Sequence, residues 1–159
     1  MQCNRSNQCE FTLEDYQISG IAAPYGLRSQ DLGGFYEVIE FGAFERVLST
    51  NPEVIATVNH SRNVEDILGT TKSGTLKLES TPFGLKFNLN IAQTAIGSSV
   101  VELIKRNDVS KLSFAFTVAK GGDHWSLIDG ETIRTITDFE DIKDISIVLE
   151  PAYLDTHIE

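Results

Sequence analysis

The sequence predicts a β-rich α+β domain whose strands close, or nearly close, into a barrel. Three observations lead there. Eight stretches read as strands, several of them alternating apolar and polar residues with the period of two that a half-buried strand requires. Short breakers separate them, among them Ser73-Gly74, Pro82-Phe83-Gly84 and Gly121-Gly122. Only one long segment carries a helical period. Strands this numerous and this closely spaced favour closure, because a closed sheet exposes no edges.

In chain order the strand-like stretches are FTLEDYQISGIAAP, FYEVIEF, EVIATVN, TLKLES, LKFNLNI, KLSFAFTV, TIRTITDF and DISIVLE. Helical spacing occurs first in GAFERVLS, where Phe44, Val47 and Leu48 recur at i, i+3 and i+4, enough for one short amphipathic helix. The longer helix runs from Thr94 to Arg106. Thr94 supplies an N-cap, Val100, Leu103 and Ile104 form the apolar stripe, and Lys105 and Arg106 suit the negative end of the dipole. In KLSFAFTV, Leu112, Phe114, Phe116 and Val118 share one strand face, and Ser113, Ala115 and Thr117 share the other. In the last stretch Ile145, Ile147 and Leu149 share a face, opposite Asp144, Ser146, Val148 and Glu150, and Pro151 ends the strand for want of an N–H.

A chain of 159 residues without repeats, low-complexity tracts or long linkers suits a single domain over 1–159. The 23 acidic against 13 basic residues give a formal net charge of -10, which weighs against a nucleic-acid partner. No window reaches the roughly 18 apolar residues of a membrane span. The opening MQCNRSNQCEFTLEDYQ lacks the apolar core of a secretory signal, so the expected location is the cytoplasm. Cys3 and Cys9 have no second cysteine pair beside them and read as free thiols. His60, His124 and His157 show no ligand spacing, so neither a metal nor another cofactor is expected.

Serine nucleophiles need a base within hydrogen-bond reach and a group that holds that base. Ser113 sits in a strand with small residues on its own face, and His60 follows a strand in TVNHSRN. Only the fold can bring them together. Pattern alone leaves Ser113 open to two readings, packing on a sheet or attack on a substrate. The absence of a Gly-x-Ser-x-Gly elbow argues against an α/β-hydrolase. An acid on the last strand, Asp144 or Glu150, could orient a histidine or stand solvated at an edge.

The order of motifs adds to this. ISGIAAPYG, FYEVIEFGAFERVL, NHSRNVEDILG, GLKFNLNI, KLSFAF and DISIVLEPAYLDT follow one another between Ile18 and Thr156. This arrangement resembles the caudovirus prohead proteases, the procapsid maturation proteases of tailed phages and relatives of herpesvirus assemblin. The chain departs from that family's pattern at three places. Leu112 stands for the usual Met, Ala115 for the usual Gly, and Ser61 for the Asp that often follows the histidine.

The resemblance implies a mostly antiparallel β-barrel wrapped by helices, with Ser113 as nucleophile and His60 as general base. Ser113 would project from the non-core face, where Ala115 and Thr117 leave space for a peptide. Alignment of DIS with the family's Glu-Val-Ser makes Asp144 the acid, one methylene shorter than Glu, and Glu150 is the alternative. The implied activity is a serine endopeptidase that cuts scaffold and capsid-protein segments, and itself, inside the assembling procapsid of a host cell. A homodimer is compatible with this resemblance, and the chain's end soon after Thr156 fits a product whose scaffold-like tail is gone. A non-catalytic β-barrel that binds capsid or scaffold is the alternative, and an unrelated small β-barrel hydrolase or ligand-binding module is a third.

Overall fold

The structure, a computed structural model, describes residues 8–9, 12–149 and 157–158, with side chains described for 15–149. Cys3 and the alternative acid Glu150 lie outside these residues. The strands are β1 (Gln8–Cys9), β2 (Thr12–Glu14), β3 (Gln17–Pro24), β4 (Tyr36–Ile39), β5 (Ile55–Val58), β6 (Gly69–Thr70) and β7 (Leu76–Thr81). They continue with β8 (Gly84–Asn90), β9 (Lys111–Val118), β10 (Asp123–Ile128), β11 (Glu131–Ile136), β12 (Phe139–Val148) and β13 (His157–Ile158). The helices are α1 (Glu45–Ser49) and α2 (Ala95–Lys105), with a 3₁₀ turn at Val64–Asp66. Among the described residues no helix is long and apolar enough to cross a membrane.

The β-rich α+β class holds, and most pairings are antiparallel. Among the described residues the sheets do not close into a barrel. The strands there pair as three open sheets, ordered β1-β13-β9-β12-β5-β6, β10-β11-β4 and β2-β3-β8-β7. Register shifts in β12, between Phe139 and Asp141 and again between Ile142 and Asp144, and another in β3 between Ile21 and Ala23, bend the strands. Among the described residues the sheets pack around one core without joining their edges. At its centre Phe44 is fully buried, stacked on Phe139 at 4.4 Å, with Phe114 edge-on at 6.0 Å. Burying such a ring stabilises the fold by about 1.5–3 kcal/mol.

Two elements differ from the sequence reading. The first predicted strand splits into β2 and β3 at a turn where Asp15 adopts φ 52°, a left-handed conformation that Asp tolerates. The Gly-rich stretch around His124 leads straight into β10, which pairs with β11 through a two-residue Asp129-Gly130 turn. Both turn residues have positive φ, 52° and 81°, as the tight antiparallel hairpin demands. Helix α2 forms where expected, with Val100 and Ile104 buried as read but Val101 buried in place of Leu103, which is exposed. The Thr94 hydroxyl caps it by accepting from Gly97 N–H at 3.1 Å.

The central strands position the site. β12 lies between β9, antiparallel, and β5, parallel. Leu112, Phe114, Ile145, Ile147 and Ala56 face the core. On the opposite face the register aligns Ser113, Ser146 and Thr57 in one row and Ala115, Asp144 and Ile55 in the next. That face is also covered. The Thr57 hydroxyl reaches the carbonyls of Ser61 (3.0 Å) and Asp66 (3.1 Å), which ties the 61–66 segment down over it.

Candidate active site

The parallel pairing of β5 with β12 ends in a tight turn, Val58-Asn59-His60-Ser61, closed by Ser61 N–H to the Val58 carbonyl at 2.9 Å. Asn59 and His60 both have left-handed φ, 49° and 55°. For residues with a Cβ this conformation costs roughly 1–2 kcal/mol each, and Asn tolerates it best. Two backbone N–H bonds to β12 hold the turn: Asn59 N–H donates to the Ile147 carbonyl at 3.0 Å and His60 N–H to Ser146 Oγ at 2.9 Å. The turn throws the imidazole back across β12 instead of outward.

There the three residues meet. His60 Nδ1 lies 2.6 Å from Asp144 Oδ1, and His60 Nε2 lies 3.1 Å from Ser113 Oγ. A carboxylate only accepts, so Nδ1 carries the ring proton and the Nε2 lone pair faces the Ser113 hydroxyl. The shortness of the Asp144 side chain is made good by the strand register. Asp144 lies opposite Ala115 rather than beside Ser113, and the folded-back ring spans the offset. Asp144 is buried, whereas the His60 side chain is 34% exposed.

Ser113 is only 1% exposed. The open space expected beside it is therefore not there: Ala115 is half-buried, and exposure on that face begins at Thr117. Ser61, at the position where the family often has Asp, donates to Asp66 Oδ2 at 2.5 Å. Asp66 thus anchors the loop and leaves the imidazole to Asp144. The sequence reading missed three neighbours. Ser146 donates to Asp144 Oδ1 at 3.2 Å, Thr57 pins the loop, and Arg62 places Nη2 3.8 Å from Asp144 Oδ2. Ser146 was detectable in principle, because it shares a strand face with Asp144.

The other histidines and two ion-paired arginines lie elsewhere. Arg106 pairs with Asp108 at 2.8 Å, and Arg134 with Asp123 at 2.7 Å and Glu37 at 3.2 Å. His124 sits exposed on β10, and His157 pairs with Lys111 in the β13–β9 ladder. Among the described residues no three His, Cys, Asp or Glu residues converge as metal ligands.

A hydroxyl and a carboxylate on adjacent strands, joined by an imidazole from a turn, is the arrangement through which serine hydrolases attack acyl groups. A family model described as caudovirus prohead serine protease matches residues 4–159, and the chain belongs to that family. No match is found among curated proteins or among solved structures.

Proposed function

We propose that this prohead protease is a serine endopeptidase in which Ser113 is the nucleophile, His60 the general base and Asp144 the acid that orients it. The observation that carries the reading is the continuous path from Ser113 Oγ through both ring nitrogens of His60 to Asp144, at 3.1 Å and 2.6 Å. His60 Nε2 takes the hydroxyl proton as Oγ attacks the peptide carbonyl. The proton then passes to the leaving amine, and water repeats the cycle on the acyl-enzyme. General-base assistance of this kind contributes about 10²- to 10⁴-fold. Asp144 keeps Nδ1 protonated and stabilises the imidazolium as it forms.

By family the polypeptide substrates are the scaffold protein and the scaffold-like part of the major capsid protein, cut inside the procapsid in the host cytoplasm, together with the protease itself. Co-expression with a scaffold and a capsid protein tests this by intact mass. The native chain is expected to shorten both partners, and Ser113→Ala to leave both full-length. Shortened products with Ser113→Ala, or none with the native chain, contradict it.

A further inference from the structure

Ser146 makes two bonds whose polarity is forced. Its oxygen accepts the backbone N–H of His60 at 2.9 Å, so its single proton is free for Asp144 Oδ1 at 3.2 Å. Oδ1 is the same atom that accepts His60 Nδ1–H at 2.6 Å. The contacts therefore close a ring: from the His60 backbone to Ser146, to Asp144, and back to the His60 side chain. The residue is fully buried, so no water competes for these bonds. It also sits where support is needed, since His60 holds φ 55° and a left-handed histidine persists only where its surroundings fix it.

We propose that Ser146 is a positioning residue for the reaction, locking the His60 backbone and the Asp144 carboxylate to each other so that Nε2 faces Ser113. This rests on the assignment of Ser113, His60 and Asp144 given above. Ser146 touches neither Ser113 nor a substrate by any of these bonds; it acts through the base and the acid. Loss of its hydroxyl removes the donor to Oδ1 and the acceptor for His60 N–H together, leaving the left-handed turn without one of its two backbone N–H ties to β12.

The test uses a fluorophosphonate probe, with the maximal acylation rate and the half-saturating probe concentration measured separately at Ser113. Ser146→Ala is expected to lower the maximal rate by about 10- to 100-fold, the scale on which misplacement of a reacting group acts. Half-saturation should stay within about twofold, because the residue does not meet the probe. Ser146→Thr, which keeps the hydroxyl, is expected to recover most of the rate. A purely structural serine would lower the melting temperature and leave the maximal rate of folded molecules unchanged. Should the Ala variant not fold, Ser146→Cys keeps the volume with a weaker donor and is expected to show the same loss in rate. An Ala or Cys variant that folds and labels at the native rate overturns the inference alone. A native chain unlabelled at Ser113 overturns the underlying site assignment and this inference with it.

Discussion

Among the described residues two carboxylates are buried, Asp144 and Glu37, and they meet opposite kinds of partner. Asp144, in the middle of β12, faces a histidine and a serine hydroxyl. Glu37, on β4 at the margin of the three-stranded sheet, faces Arg134, whose guanidinium also binds Asp123. Arginine never gives up its proton in a protein, so the Glu37 cluster can join strands but cannot relay protons. Histidine has two ring nitrogens that differ in role, and in His60 one of them reaches the Ser113 hydroxyl. Burial pushes the Glu37 carboxyl above the ordinary glutamate range despite the opposing charge of Arg134. The difference lies in the partner: an imidazole can exchange a proton with a third group, and a guanidinium cannot.

The largest break in this comparison is Asp144→Asn. An amide can present its NH₂ to Nδ1, which drives the ring proton to Nε2 and points it at Ser113. Acylation of Ser113 is expected to slow by about 10³- to 10⁴-fold with the fold intact. Stopped-flow labelling against circular dichroism checks this, and a rate within tenfold of native removes Asp144 from the site.

Arg134→Ala is the counterpart in the other cluster. It strands a buried carboxylate and should cost about 3 kcal/mol in urea unfolding. The labelling rate of the folded fraction should not change, because the cluster does not touch the Ser113–His60–Asp144 path. A slower rate at full folding would mean the two regions are coupled.

The smallest effect concerns pH. A carboxyl whose folded pKa lies above its unfolded one binds its proton more tightly in the native state. The stability it contributes is full below the unfolded value and is lost as pH rises through the folded one. Unfolding curves collected from acid toward neutral pH should show that decline in the native chain. Glu37→Gln, which cannot ionise, should flatten it. An unchanged slope assigns the decline to other groups.

Much of this was legible in the chain because it is local. Period-two alternation gave most of the strands, and Thr94 marked the start of α2. The order of weak motifs pointed to Ser113, His60 and Asp144 before any geometry. What stayed hidden is what depends on pairing between distant segments. Barrel closure is a property of edges that meet or miss in space, and no period within a strand announces it. β10 escaped notice because Trp125, Leu127 and Ile128 are exposed and no core-facing alternation reveals the strand. Its Asp129-Gly130 turn was nonetheless a readable hairpin signal. The left-handed turn at Asn59-His60 has no glycine to betray it, and Ser146 looked like any small residue on a strand. The burial of Ser113 depends on what lies over its face, which strand alternation cannot reveal.

The central claim is that His60 activates Ser113, and a single labelling experiment meets it most directly. A fluorophosphonate probe followed by peptide mapping should modify the native chain at Ser113 alone, and His60→Ala should lose that modification while remaining folded. Modification at another serine, or equal labelling of Ser113 without His60, contradicts the account.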